Sequence, residues 1–112
     1  MPIIYVGIGS NLGDRRHNIE QALEMLPENG ICVRRCSTII ETAPVGGPPQ
    51  GLYLNAVLEA ETHLPPPELL TRLKSIEQRL GRTFTGRNGP RVIDLDILLY
   101  DDMVLEEQGL VI

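Results

Sequence analysis

A strand in which two acids alternate with apolar residues limits the folds that this chain can adopt. Residues 92–100 are β-branched or apolar except for Asp94 and Asp96, and they follow a Gly-Pro turn. Such a run predicts a β-strand. Strand side chains alternate between two faces, so both acids lie on one face while Leu95 and Ile97 lie on the other. The pattern predicts a sheet with one apolar face that is covered and one polar face that is open.

The two acids of this strand suggest a bound cation. By strand rise Asp94 and Asp96 stand roughly 7 Å apart, and their mutual repulsion makes the arrangement costly unless a cation lies between them. Mg²⁺ commonly takes one or two carboxylates and completes its shell with water and substrate phosphates. Arg91, at the start of the strand, could hold a phosphate oxygen. Taken alone, such a pair of acids more often marks a half-exposed edge strand with a polar face.

Hydrophobic periodicity predicts four strands and two helices in the order β-α-β-β-α-β. The strands are expected at residues 3–8, 31–40, 53–62 and 92–100. The helices are expected at residues 15–26, capped by Asp14, and 68–80, closed by Gly81. This order predicts an α+β, ferredoxin-like sandwich in which two helices cover one face of a mainly antiparallel sheet. Residues 103–112 could form a short hairpin or ragged strand.

A second group of polar side chains is expected on the open face. Tyr53 and Asn55 alternate with apolar residues of the third strand, so they share the face of the two acids. A flat heterocycle could stack on Tyr53, and the Asn55 amide offers both a donor and an acceptor. The Gly- and Pro-rich loop at residues 42–51 precedes them and is expected to bind a ligand. A surface tyrosine and a satisfied amide remain the alternative.

The distribution of charge favours a small polyanionic ligand over nucleic acid. The net charge of −5 argues against general nucleic-acid binding. Six of the ten basic residues nevertheless fall within twenty positions that contain one acid, Glu77. These six are Arg72, Lys74, Arg79, Arg82, Arg87 and Arg91. A solvated helix face would account for Arg72 and Arg79, but it accounts less well for the three arginines in the glycine-containing loop.

Composition predicts one ordinary globular domain. The chain has 112 residues, of which 42% are hydrophobic and 22% charged. It shows no signal peptide or apolar stretch long enough to span a membrane, so a cytoplasmic protein is expected. Cys32 and Cys36 lack metal-site spacing and are interpreted as reduced packing residues, and the two histidines as surface residues.

Two further features have competing interpretations. The glycines of residues 7–13 depart from a dinucleotide-binding fingerprint, so a structural turn that also lets a ligand approach is preferred. Glu77 is either a simple exposed acid or a residue that reaches a nucleotide hydroxyl.

Four stretches, in this order, resemble the 6-hydroxymethyl-7,8-dihydropterin pyrophosphokinase family of folate biosynthesis. They are GSNLGD at residues 9–14, ETAPVGGPPQ at 41–50, YLNAV at 53–57 and GPRVIDLDILLY at 89–100. The last two are specific, and the resemblance covers essentially the whole chain. It implies transfer of pyrophosphate from ATP to the hydroxymethyl group of a reduced pterin, with release of AMP.

The resemblance also implies roles for particular residues. Asp94 and Asp96 would hold two Mg²⁺ ions that bridge the ATP phosphates. The implied pterin-binding residues are Thr42, Pro44, Val45, Tyr53 and Asn55. The implied ATP-binding residues are Lys74, Glu77, Arg82, Arg91 and the backbone of Ile97. Arg82 and Arg91 would join the two acids in catalysis, and such a transfer needs no protein nucleophile because positioning and cations carry it.

The chain departs from the family pattern in two ways. Phe84 and Asn88 stand where the family commonly has an arginine and a tryptophan, and Arg87 could replace the lost charge. The sequence also stops at Ile112, where the family continues with a segment that supplies a histidine, an arginine and an aromatic. Residues 1–112 are therefore expected to form the pyrophosphokinase-like core alone, and self-association through uncovered apolar surface is expected.

Two other functions are compatible with this element order. A weakly active or inactive paralogue could keep the pterin or nucleotide pocket as a binding or regulatory module. An RNA-binding sheet of the RRM type is disfavoured by the acidic charge and by the absence of its aromatic-rich motif.

Overall fold

The computed structural model describes residues 2–43, 50–81 and 92–101, which contain five strands and two helices. The strands are β1 Ile3–Ser10, β2 Ile31–Cys36, β3 Ile40–Thr42, β4 Tyr53–Thr62 and β5 Asp94–Tyr100. The helices are α1 Arg15–Glu28, between β1 and β2, and α2 Pro66–Arg79, between β4 and β5.

The strands form one sheet in the order β2-β4-β1-β5, with β3 paired to a further length of β4. Every strand pair is antiparallel. This is the predicted ferredoxin-like α+β arrangement, with β1 and β4 at the centre. The long connections through α1 and α2 allow strands that are distant in sequence to lie side by side.

The core lies between the helices and one face of the sheet. Alternate residues of β1, Ile4, Val6 and Ile8, are buried and paired with small or apolar residues of β4. The helices contribute the buried stripes that periodicity predicts, Ile19, Ala22 and Leu26 from α1 and Leu69, Leu73 and Ile76 from α2. Burial of these side chains is the main source of stability in a domain of this size.

The helix ends follow local sequence signals. The Asp14 side chain accepts a hydrogen bond from the His17 amide at 3.1 Å, so the predicted cap is confirmed. Gly30 and Gly81 follow the two helices with φ of 79° and 90°, which a residue without a Cβ adopts easily. The first helix runs beyond the expected stop and includes Pro27, because a proline in the last turn removes a single intrahelical hydrogen bond.

The predicted second strand at residues 31–40 is interrupted in the structure. After β2 the chain leaves regular pairing at Ser37 and resumes it as β3. The Ser37 amide still donates to the Val57 carbonyl at 2.9 Å, but the Val57 amide donates to the Ser37 hydroxyl at 2.8 Å. A side-chain oxygen therefore takes a position that a backbone carbonyl holds in a regular ladder.

The exposure of the two cysteines contradicts one prediction, and the exposure of the two histidines confirms another. Cys32 and Cys36 are free and exposed on the edge strand β2, so the interpretation as packing residues is wrong. Among the described strands, β2 pairs with β4 alone, so β2 is an edge strand in that part of the chain. His17 and His63 are exposed, as predicted. Neither described helix has the length and apolar character needed to cross a bilayer.

Candidate functional site

The antiparallel register brings the two polar groups of the open face into one row. Gly9 of β1 is paired with Asn55 of β4 on one side and with Asp94 of β5 on the other. Gly7 is likewise paired with Asp96. Two strand spacings, roughly 10 Å, therefore separate the backbones that carry Asn55 and Asp94. Between them β1 presents Gly7 and Gly9 on this face, with the Asn55 and Tyr53 side chains over Gly9 and the Leu98 side chain beside Gly7. These two glycines form the floor of the site.

Only glycine fits at position 9, because the Asn55 and Tyr53 side chains lie close to its Cα. A Cβ built on Gly9 would collide with the Asn55 Oδ1 and lie 3.4 Å from the Tyr53 Cδ1. A Cβ on Gly7 would make ordinary contact with Leu98 at 3.6 Å. The turn predicted for residues 7–13 is confirmed only in its last part: β1 runs through Gly7 and Gly9 to Ser10, and the bend lies at residues 12–14. The missing side chain at Gly9 makes room for the Asn55 and Tyr53 side chains.

Three of the expected pterin residues lie together beside this floor. Thr42 is paired with Tyr53, two residues before Asn55 on the same strand. The Asn55 Nδ2 donates a hydrogen bond to the Thr42 Oγ1, which orients the amide. All three side chains are half-buried. The other two expected pterin residues, Pro44 and Val45, lie outside the described residues.

The pair of acids carries the electrostatic signature of a cation site. Partial desolvation, the charge of Asp94 and a hydrogen bond with Asp94 raise the pKa of Asp96 from 3.8 to about 6. The charge of Glu77 acts in the same direction, and that of Lys74 opposes it. Asp96 is nevertheless exposed as a whole residue, so solvent screens part of this effect. A cation placed here would relieve the repulsion between the two carboxylates.

Glu77 differs from the simple exposed acid that was one of its two interpretations. Its side chain is 2% exposed, and its Oε2 accepts a hydrogen bond from the Leu95 amide at 2.7 Å. The Lys74 Nζ lies 3.5 Å from the Glu77 Oε1 and is about half exposed. Helix α2 thus brings an acid and a base against β5 at the point where the two aspartates project.

One edge of β5 has no partner among the strands that the structure describes. Of those strands β5 pairs with β1 alone, so every second backbone amide points away from the described sheet. The Leu95 amide is one of these, and by alternation the Ile97 amide points the same way. The Ile97 side chain is buried at 5% exposure, which leaves its backbone as the part available to a ligand.

Sequence reasoning missed a set of contacts made by Arg15, the first residue of α1, and by Asn11, which precedes the helix. The Asn11 Nδ2 donates to the Gln50 Oε1 at 2.7 Å and to the Gly51 carbonyl at 3.1 Å. The Arg15 Nη1 donates to the Leu52 carbonyl at 2.8 Å and to the Glu41 Oε2 at 3.0 Å. Both ends of the 42–51 loop are therefore attached to α1. The partners are 26–40 residues apart in sequence, and no local pattern connects them.

A separate concavity of about 320 Å³ lies further along the open face. It is lined in part by Tyr5, Arg35 and Glu59. The Tyr5 hydroxyl donates to Glu59 at 2.9 Å, and Arg35 binds the same carboxylate with two nitrogens at 2.8 and 3.2 Å. Hydrogen bonds from Arg35 and Tyr5 lower the pKa of Glu59, and the bond to Glu59 raises that of Tyr5. The charges of this concavity are thus matched within the protein.

Several expected site residues lie outside the described residues. They are Arg82, Phe84, Arg87, Asn88 and Arg91, together with Pro44 and Val45. Within residues 2–43, 50–81 and 92–101, no three His, Cys, Asp or Glu side chains converge as a metal-binding group. Asp94 and Asp96 are a two-carboxylate site in that part of the chain, which suits an ion that completes its shell with water and phosphate.

The chain is similar to proteins of folate synthesis over almost its whole length. It is 44% identical over 109 residues to a mitochondrial folate synthesis bifunctional protein of Arabidopsis thaliana. It is 45% and 42% identical to 2-amino-4-hydroxy-6-hydroxymethyldihydropteridine pyrophosphokinases of Aquifex aeolicus and Bacillus subtilis, over 105 and 111 residues. These alignments cover 94–98% of this chain.

The relatives are longer than this chain. The aligned part is 20% of the Arabidopsis protein, 65% of the Aquifex protein and 66% of the Bacillus protein. The family model described as 7,8-dihydro-6-hydroxymethylpterin-pyrophosphokinase (HPPK) matches residues 5–112. The match includes the glycine floor, the Tyr53–Asn55 strand and the Asp94–Asp96 strand. The chain belongs to the HPPK family.

Proposed function

We propose that this protein transfers pyrophosphate from ATP to the hydroxymethyl group of a reduced pterin and releases AMP. One observation carries the proposal: the glycines of β1 lie directly between the Asp94–Asp96 pair and the Thr42–Tyr53–Asn55 group. The backbones of the two groups are roughly 10 Å apart, a separation that suits two substrates bound side by side, one ending in phosphates and one in a flat ring.

The pterin is proposed to bind at the β3–β4 side of the floor. Tyr53 offers a ring face for stacking, and the orientation of Asn55 toward Thr42 leaves its carbonyl oxygen over Gly9. An amide with a fixed orientation can recognise the donors and acceptors of a heterocycle edge. Pro44 and Val45 are proposed to complete this subsite.

The phosphates of ATP are proposed to bind at the β5 side, with two Mg²⁺ ions held by Asp94 and Asp96. Two adjacent carboxylates, with the pKa of Asp96 raised by partial desolvation and by the charge of Asp94, are a donor set that fits this ion. When bound, Mg²⁺ would neutralise the phosphate charge. Lys74, Arg82, Arg91 and the Ile97 backbone are the proposed ATP-binding residues of this chain. Glu77, which the resemblance adds to them, is buried against the Leu95 amide.

The chemistry requires alignment rather than a protein nucleophile. Formation of AMP means that the pterin hydroxymethyl oxygen bonds to the β-phosphorus while the bond from that phosphorus to the α-phosphate oxygen breaks. The hydroxyl proton leaves with solvent or a phosphate oxygen. The residues of this chain would hold the two reacting groups in line and exclude water between them, with Arg82 and Arg91 beside the phosphates.

AMP formation from ATP and 6-hydroxymethyl-7,8-dihydropterin in the presence of Mg²⁺ tests the proposal. We expect turnover by the wild type, a loss of at least about a hundredfold in Asp96→Ala because charge stabilisation is removed, and no change in Glu20→Ala. Glu20 is an exposed acid on α1, remote from the site. A wild-type protein that forms no AMP would contradict the enzymatic proposal. Calorimetric binding of ATP or pterin without turnover would favour the binding module instead.

We also propose a location and an assembly state for this protein. Two free, exposed cysteines suit the reducing cytoplasm. Self-association through the open face is proposed because Ile40, Val57 and Leu99 are exposed there.

A further inference from the structure

We propose that Glu77 is a positioning residue, which fixes β5 through the Leu95 amide and thereby holds Asp94 and Asp96 in place. The inference rests on the proposed function, because it concerns the phosphate side of the same site. It assigns Glu77 a role through the protein backbone rather than through direct contact with the nucleotide.

The first argument is the position of the hydrogen bond. Edge strands leave alternate amides without a strand partner, and a buried amide of this kind is costly to leave unsatisfied. Leu95 is 1% exposed, so water cannot serve it. The Glu77 carboxylate accepts from this amide at 2.7 Å, a length typical of a charge-assisted bond. It thus acts at this point as a substitute for a neighbouring strand.

The second argument is the location of Leu95 in sequence. It stands between Asp94 and Asp96, so an anchor on its amide restrains both flanking residues within one peptide unit. On the other side of the strand, β1 holds those two residues by pairing Gly9 with Asp94 and Gly7 with Asp96. The short segment that carries both acids is therefore fixed from both edges. Such support is what a site needs if its ligands are to be held before substrate arrives.

The third argument concerns the carboxylate itself. A carboxylate with 2% exposure is unfavourable unless charged or polar partners compensate it. The Leu95 amide lies at one oxygen and the Lys74 ammonium at 3.5 Å from the other. A nucleotide hydroxyl that bound Glu77 directly would have to compete with these partners.

Two conservative substitutions of Glu77 distinguish the effect of its side-chain length from the effect of its charge. Glu77→Gln keeps an acceptor oxygen at the same distance but removes the charge, whereas Glu77→Asp keeps the charge but shortens the side chain by one methylene. Gln78→Ala is the control, because Gln78 is exposed and follows Glu77 on the same helix. None of the three removes a large apolar group, so all should fold.

Hydrogen exchange of the Leu95 amide, measured by NMR on protein free of metal and nucleotide, gives a readout independent of activity. We expect protection close to wild type in Glu77→Gln and Gln78→Ala. In Glu77→Asp we expect exchange faster by about tenfold or more, the factor for losing a hydrogen bond to a charged group. Unchanged protection in Glu77→Asp would overturn the proposal even if the protein proved to be no pyrophosphokinase.

AMP formation then tests whether the anchor matters for the reaction. We expect kcat to fall by about tenfold or more in Glu77→Asp and by less than about threefold in Glu77→Gln. The ratio of rates with ATP and 2′-deoxyATP, and likewise 3′-deoxyATP, should be the same in both variants and in wild type. A preference for ATP that disappears in the variants would show direct contact with a ribose hydroxyl and would overturn the positioning role. Failure of the wild type to form AMP would contradict the proposed function alone, since the amide exchange would still report on the anchor.

Discussion

The surroundings of the Asp96 carboxyl group oppose its ionisation. Its pKa is raised to about 6 in the folded protein, against an ordinary 3.8, so the folded state binds the proton more tightly than the unfolded chain. The associated stability is present below about pH 4 and is lost as the pH rises through 6. Near neutral pH, without a cation, the Asp94–Asp96 pair therefore destabilises the protein.

Asp96→Asn should make the metal-free protein more stable while removing its activity. We expect a gain of about 1 kcal/mol at pH 8, because the full pKa shift is reduced by the solvent exposure of Asp96. The gain should shrink toward pH 4, and urea unfolding in EDTA across this range would measure it. A variant less stable than wild type at pH 8 would show that the carboxylate makes a favourable contact instead.

Gly9→Ala should displace the side chains that are proposed to bind the pterin. The added methyl group would meet the Asn55 Oδ1 and the Tyr53 ring, at an expected cost of about 1–3 kcal/mol. Loss of the bond from Asn55 to Thr42 should weaken pterin binding more than ATP binding, as calorimetry would detect. Gly7→Ala is the stability control and should change unfolding by less than about 0.5 kcal/mol, because its methyl group finds ordinary contact. Equal effects of the two substitutions would argue against a special role for Gly9.

At the scale of elements, Arg15 at the start of α1 and Asn11 just before it hold both ends of the 42–51 loop. Arg15 joins Glu41 at the start of the loop to Leu52 at its end, and Asn11 holds Gln50 and Gly51. The end of β3 and the start of β4 are thereby held beside the glycine floor. A helix start thus sets the position of residues that are proposed to bind the pterin.

Arg15→Ala should raise the KM for the pterin by about tenfold, which corresponds to the loss of contacts worth roughly 1.4 kcal/mol. The KM for ATP should change by less than about twofold. The reason is that its partners lie at the ends of the pterin loop and not beside β5. Steady-state rates of AMP formation would measure both constants. Arg16→Ala serves as the control, since Arg16 is the neighbouring arginine on the same turn and is exposed. A similar rise in both KM values would contradict a local effect on the loop.

Local signals were sufficient for some element ends and misleading for others. The Asp14 cap and the helix end at Gly81 lie where the local sequence predicts them, because caps depend on a few neighbouring residues. The split between β2 and β3 depends on the Ser37 hydroxyl and the Val57 amide, which are twenty positions apart. A period of two in the sequence cannot reveal such an interruption.

At the scale of the whole molecule, the open face combines a polar site with exposed apolar side chains. Ile40, Val57 and Leu99 are 56%, 42% and 40% exposed on this face, and a face of this kind can associate with another surface. We expect the chain to self-associate in the micromolar range. Sedimentation should show the association weakened by Leu99→Lys. Leu12→Lys, which changes an exposed leucine outside the sheet, should leave it unaltered. A monomer at all concentrations would contradict the expectation.

The main helices and strands, the buried stripes and the shared open face of Tyr53, Asn55, Asp94 and Asp96 follow from the sequence alone. They depend on periods of 2 and 3.6 residues, which local chain geometry imposes. The resemblance to the HPPK family came from the same stretches, since residues that face a shared site are close together along each strand.

Contacts between segments that are distant in sequence are determined only by the tertiary structure. Helical spacing cannot distinguish an exposed glutamate from one that is buried against the amide of an edge strand, as Glu77 is against Leu95. Nor can a glycine-rich stretch reveal that Gly9 belongs to a central strand and lies beneath Asn55. Both depend on which strands become neighbours, and packing of the helices onto the sheet determines that. The sequence therefore defines which groups face the site, and strand pairing defines the distances between them.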